Sequence, residues 1–297
     1  MLIYCNGDSF TAGVSAADHV FPGFLGGFTD SEVKAQSPAI KEFIKTKEAY
    51  CKTKYFSYDD ALKRQGQIEF SDHAKQGYVD LAHNFNIFEK NYSFPAELEL
   101  LDSSIKTINA AKPGASMGGI ARRTVLDLLN YQAQGTKIDL VVIQVTSHYR
   151  YEIFDCRHGY LLNDRPFASF DNTAEKRISE AVVLKYDDND LTVKFLYDLS
   201  MIKNIALSMT GKMPLIIDSI NGENIDMRIK TAADHISIVN PSCSSTFNNL
   251  IEHSGIKQAH MRFMLEQANK LDLPYAYDGH FLNEVYRLTA QELIKLL

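Results

Sequence analysis

Tryptophan is missing altogether from the 297 residues, and cysteine is scarce, at four. The first absence excludes no function, but the second excludes two kinds of structure. Cys5, Cys51, Cys156 and Cys243 stand far apart and form no C-x-x-C pair. That argues against a disulfide framework or a cysteine-ligated zinc site, and free thiols in a reducing compartment are expected. A basic excess is lacking too. The formal net charge is -6, whereas a general nucleic-acid binder needs a basic face for its phosphate contacts. No stretch approaches the ~20 unbroken apolar residues of a membrane span. The amino terminus has no basic segment followed by an apolar one, so no secretory signal is expected, and a cytoplasmic protein is. His73, His83, His158, His235, His253 and His260 show no H-x-x-x-H spacing, so they are ordinary polar residues in expectation and no metal or other cofactor is foreseen.

What is there is the composition of an ordinary globular chain, 45% hydrophobic and 23% charged, long enough for one large or two ordinary domains. Apolar runs alternate with helical spacings through most of it. Leu2–Cys5 is a first buried strand. Ser93-Phe94-Pro95-Ala96-Glu97 offers an N-cap, an early proline and an acid for a helix to about Leu101. Ile105–Asn109 is a short strand, and a helix beginning near Met117 carries Ile120, Val125, Leu128 and Leu129 on one face. Ile138–Val145 is the most apolar strand, as suits the centre of a parallel sheet. Val182–Lys194 has strand-like fragments and Phe195–Met209 a helical spacing. Pro214–Ser219 and His235–Val239 are further strands, and Gly255–Leu271 is an amphipathic helix. Leu273–Tyr277 leads into Asp278-Gly279-His280, and Leu282–Leu297 closes the chain as a helix.

This alternation predicts a three-layer α/β/α fold, with a parallel sheet of about five strands and helices on both faces. Two stretches break the rhythm, about 14–91 and about 149–186. They are expected to be insertions over the sheet edge of a single domain spanning residues 1–297.

Polar residues stand where the strands end. Gly7-Asp8-Ser9-Phe10-Thr11-Ala12-Gly13 follows the first strand directly. In an open α/β sheet that edge is where ligands bind, although a serine there also serves as a plain helix cap. Asp8 is expected to hold the turn as an Asx-type acceptor. Gly114 follows the second strand, and Asp278 with His280 follows the last. Strand ends of a parallel sheet share one edge, so a serine, an imidazole and a carboxylate can converge there. The chemistry needs all three. A hydroxyl is too weakly acidic to attack alone, so imidazole takes its proton, and the carboxylate fixes the tautomer and stabilises the imidazolium.

These residues resemble the SGNH (GDSL-like) hydrolases. The run Gly7–Gly13 is similar to the family's first block, and the resemblance makes Ser9 the nucleophile. Asn109 through Pro113-Gly114-Ala115-Ser116 is similar to the second block, whose glycine offers a backbone N–H to the oxyanion. Asp278-Gly279-His280, just before a final helix, is similar to the last block, which supplies acid and base. The resemblance covers the sheet-forming parts and implies a flavodoxin-like fold without cofactor. Insertions of this size resemble those of phage-encoded relatives, so a viral product made in a host cell fits too.

Two departures stand out. The family's third block ends Gly-x-Asn, whereas this strand ends Gln144-Val145-Thr146-Ser147. Thr146 or Ser147 then becomes the candidate third oxyanion donor, beside the N–H groups of Ser9 and Gly114. The usual Asp-x-x-His is shortened to Asp278-Gly279-His280, and Asp218 is the alternative acid. His148 and Arg150, with Glu152, are candidates to line the substrate site, or else ordinary loop residues. The expected activity is hydrolysis of a small-molecule or carbohydrate ester, such as an O-acetyl group, through an acyl-enzyme on Ser9. The alternatives are an O-acyltransferase using the same triad, or a weakly catalytic or non-catalytic binding protein that keeps the fold.

Overall fold

Burial follows the apolar runs. Ile3, Tyr4 and Cys5 are fully buried, and every residue of Leu140–Val145 is buried. The computed structural model describes residues 1–13, 93–146, 151–155, 160–164, 188–218, 222–254 and 283–297, with a few residues between 38 and 76. The elements are β1 (Leu2–Asn6), α1 (Ser9–Ala12), α2 (Phe94–Leu101), β2 (Lys106–Asn109), α3 (Met117–Ala133), β3 (Leu140–Val145), β4 (Tyr151–Asp155) and β5 (Tyr160–Asp164). They continue with α4 (Asp188–Thr210), β6 (Leu215–Asp218), α5 (Gly222–Val239), a 3-10 turn at Pro241–Cys243, α6 (Ser244–Ser254) and α7 (Asn283–Ile294).

The main sheet has four parallel strands among the described residues, in the order β2-β1-β3-β6, rather than about five. Its register pairs Ile3 with Leu140 and Asn6 with Ile143, then Val142 with Leu215 and Val145 with Asp218. β3 is therefore interior, as its unbroken apolar run demands. The fold is α/β, compatible with three α/β/α layers.

His235–Val239, expected as a strand, is instead the last turn of α5. Local alternation of isoleucine with polar residues suggested the strand. The longer spacing Ile229, Ala232, Ile236 has the helical period, and Ile229 and Ala232 are the buried members. Ile238 and Val239 are left exposed. Asp188–Lys194 is likewise helical, not strand-like. Leu191, Phe195, Leu196, Leu199, Ile202 and Ala206 make one buried stripe that outweighs the β-branched Thr192 and Val193. The segment from Tyr151 holds an antiparallel hairpin, β4 with β5, pairing Tyr151 with Asp164 and Asp155 with Tyr160. The expected helix Gly255–Leu271, the approach Leu273–Tyr277 and most of 14–92 lie outside the described residues.

The chain divides into two compact units. The first comprises Met1–Asp8 and Ala110–Leu265. In it α4 packs on α3, α5 and α6 and against β3. Ser116 caps α3, its hydroxyl accepting from the Gly119 N–H. Gly135 ends α3 at φ +71°, with Gly135 N–H bonded to Gln132 O and Thr136 N–H to Tyr131 O. That is a Schellman closure, which favours glycine at the left-handed position. The second unit comprises Ser9–Asn109 and Glu266–Leu297, where α2 packs on β2 and α7 packs on α2. No helix among the described residues is long and apolar enough to cross a membrane.

Candidate functional site

In the order β2-β1-β3-β6 the chain first steps to one side of β1 and then crosses to the other. The reversal falls between β1 and β3, and the carboxyl ends flanking such a point form the usual ligand crevice of an open α/β sheet. Two polar runs meet there, Asn6 at the end of β1 with Gly7-Asp8 after it, and Gln144-Val145 at the end of β3 with Thr146 after it.

Asn6, Asp8, Gln144 and Thr146 are all fully buried. Buried polar groups are costly without partners, and these have them. Asn6 Oδ1 accepts from the Gly7 N–H at 2.8 Å. Asn6 Nδ2 donates to Thr124 Oγ1 at 3.0 Å, to Ile120 O at 3.1 Å and to the Tyr4 hydroxyl at 3.3 Å. Tyr4 in turn donates to Asp127 Oδ2 at 2.8 Å. Burial first, and then the bond to Asp127, raises the Tyr4 phenol far above its ordinary pKa, so it stays a donor. Asp8 is held twice from β3. Its N–H donates to Gln144 Oε1 at 3.2 Å, and its Oδ2 accepts from the Thr146 hydroxyl at 2.8 Å. Gln144 Nε2 is turned to Val145 O at 2.6 Å, which fixes the amide so that its oxygen faces Asp8.

The second-block loop is tied to the same turn. Ala110 N–H donates to Cys5 O at 2.9 Å and Lys112 N–H to Gly7 O at 3.3 Å. Gly114, two residues on, stands at φ +75°, a left-handed conformation that a side chain strains. Arg123 closes the loop from α3, donating to Ala110 O at 3.1 Å. In the second unit, Asn109 Nδ2 donates to Thr11 O at 2.9 Å and to Ser93 Oγ at 3.2 Å, holding α1 by its backbone.

Ser9 is the first residue of α1 and comes straight off this turn. The loop of Gly114 and the side chain of Thr146 are brought to Gly7 and Asp8, respectively. The Thr146 hydroxyl proton serves Asp8 here, so that side chain acts on the turn. Asp218 is the last residue of β6, and Glu152 lies in β4. Ser147, His148, Arg150, Asp278 and His280 lie outside the described residues, as do the side chains of Ser9 and Asp218. Among the described residues no three His, Cys, Asp or Glu side chains are grouped to hold a metal.

Gln144 and Asn6 were missed as functional residues. The signal was available: each is the one amide side chain at the end of an otherwise apolar strand. A polar residue buried in such a run has to be bonded to something, and here it is the turn. No protein-family model matches the chain, and no curated protein matches it in sequence.

Proposed function

We propose that the protein is a serine esterase or deacylase of SGNH type, with a flavodoxin-like fold. Ser9 attacks the carbonyl of a small-molecule or carbohydrate ester, and His280 takes the hydroxyl proton. His280 then returns that proton to the leaving alcohol, and Asp278 orients the ring. The N–H groups of Ser9 and Gly114 receive the oxyanion. An acyl-enzyme forms and water resolves it.

The observation that carries this reading is the position of Ser9, opening a helical turn directly after β1 and beside the strand-order reversal. The order β2-β1-β3-β6 agrees with the first four strands of the flavodoxin-like order. Two residues, three Cα–Cα steps, separate His280 from the start of α7, a tether of at most about 10–11 Å, and α7 belongs with Ser9 to the second unit. A non-catalytic binding protein is the second reading, favoured by the Thr146 hydroxyl being given to Asp8 rather than left for an oxyanion.

The test is labelling by a fluorophosphonate together with hydrolysis of p-nitrophenyl acetate. Wild type is expected to label stoichiometrically and to hydrolyse the ester. Ser9→Ala loses labelling and at least about 10³-fold in kcat/KM, because the nucleophile is gone. No labelling of folded wild type leaves the binding-protein reading. Faster product release on adding sugars or alcohols, with ester transfer to them, marks the acyltransferase.

A further inference from the structure

The β1–β3 ladder stops at the pair Asn6–Ile143, just short of the turn. Past that point backbone pairing with β3 ends, the Lys112 N–H still holding Gly7 O from the other side, and Asp8 is gripped at two atoms by side chains from the end of the neighbouring strand. Gln144 lies in β3 and Thr146 one residue past its end, and the side chains of both reach Asp8. One takes the Asp8 N–H and the other gives its proton to the Asp8 carboxylate. All three residues are fully buried, where such bonds are not traded for water.

We infer that Gln144 and Thr146 are positioning residues, a two-point clamp that extends the β1–β3 ladder through side chains and sets the direction in which residue 9 leaves the strand. This deepens the esterase reading and rests on it for its kinetic consequence only. The third strand acts through Asp8 on the nucleophile's placement, not on the developing charge. A displacement of ~1 Å at a reacting atom can cost about 10²-fold in rate, so a clamp one residue from the hydroxyl is a sensitive place to loosen.

Two readouts on the full chain test it. The first is amide hydrogen exchange of the peptide covering residues 6–13. In wild type the Asp8 amide is expected among the slowly exchanging ones. Thr146→Val, which keeps the shape and removes the donor, speeds exchange at residues 7–9 by about tenfold while β3 peptides keep their protection. Thr146→Ser, which keeps the hydroxyl, stays near wild type. The second is kinetic: Thr146→Val lowers fluorophosphonate labelling and kcat by about 10–100-fold with KM unchanged, and Thr146→Ser recovers most of it.

An exposed-like exchange rate for the wild-type Asp8 amide overturns the clamp, and that measurement needs no variant to fold. Unchanged exchange in folded Thr146→Val overturns it as well. If wild type neither labels nor hydrolyses esters, the esterase reading falls and the exchange result alone decides the clamp. If wild type labels and Thr146→Val labels equally fast, the clamp falls and the esterase reading stands.

Discussion

Asn6 sits at the end of β1 with both ends of its amide in use. The oxygen receives Gly7 N–H while the nitrogen reaches Ile120 O, Thr124 Oγ1 and the Tyr4 hydroxyl. Aspartate would lack the donors and leucine both functions. Asn6→Ala removes the shared partner of a buried donor and several buried acceptors. Each such group left unmatched costs about 1–3 kcal/mol, and partial repacking leaves an expected loss of about 2–3 kcal/mol. Urea unfolding of the variant checks this, and a loss under about 1 kcal/mol means the network re-forms without the amide.

At the scale of elements, a reciprocal pair joins the strand starts: Leu2 N–H donates to Asp139 Oδ2 at 2.8 Å and Asp139 N–H to Leu2 O at 2.9 Å. The Leu2 bond, and behind it the charge of Lys137, holds the Asp139 carboxyl below its ordinary pKa. A carboxyl depressed in the folded state contributes stability above its unfolded pKa and loses it as pH falls through the folded one. Wild type is therefore expected to be more stable than Asp139→Asn at pH 7, with the gap closing below about pH 4. Unfolding curves at pH 7, 5 and 3 for both proteins check the sign. A gap that widens in acid contradicts it.

The same scale explains what was legible in the chain. β1, β3 and β6 are apolar runs in an interior sheet, so pattern agreed with the fold; α2 does start after Ser93, but the Ser93 hydroxyl accepts from Asn109 and makes no cap bond. The hairpin β4–β5 falls in the stretch about 149–186 that breaks the α/β rhythm, although Tyr151, Ile153, Phe154 and Tyr160 flank a four-residue, glycine-containing connection in the sequence, which is a hairpin signal. The ends of α4 and α5 failed differently. Four or five residues of β-branched alternation look like a strand until the buried stripe is followed over three turns. At the site, Gly-Asp-Ser and Gly114 were visible because turns have residue signatures. The grip of β3 on Asp8 was not, because a side-chain bond across 136 or 138 residues leaves no local period.

At the scale of the whole molecule, the chain's final helix returns to an early one. Arg287 on α7 bonds Glu97 on α2 at 3.1 Å across 190 residues of sequence. The two partners differ in exposure, 57% for the Arg287 side chain and 3% for that of Glu97. That asymmetry decides the energetics. A more exposed pair such as Lys106–Glu99, with side chains 68% and 33% exposed, is worth about 0.2–1 kcal/mol. Around Glu97 the loss is larger, because removing the arginine withdraws a charged donor from a carboxylate that water does not reach. Arg287→Met is expected to destabilise by about 1–3 kcal/mol, less than for a fully buried pair since the guanidinium is partly solvated. Glu97→Gln in the same background removes the buried charge, so the double variant should be more stable than Arg287→Met alone. A double-mutant cycle by urea unfolding measures this directly. If the double variant is the less stable of the two, the carboxylate is held by its other surroundings and Arg287 is a surface residue in effect.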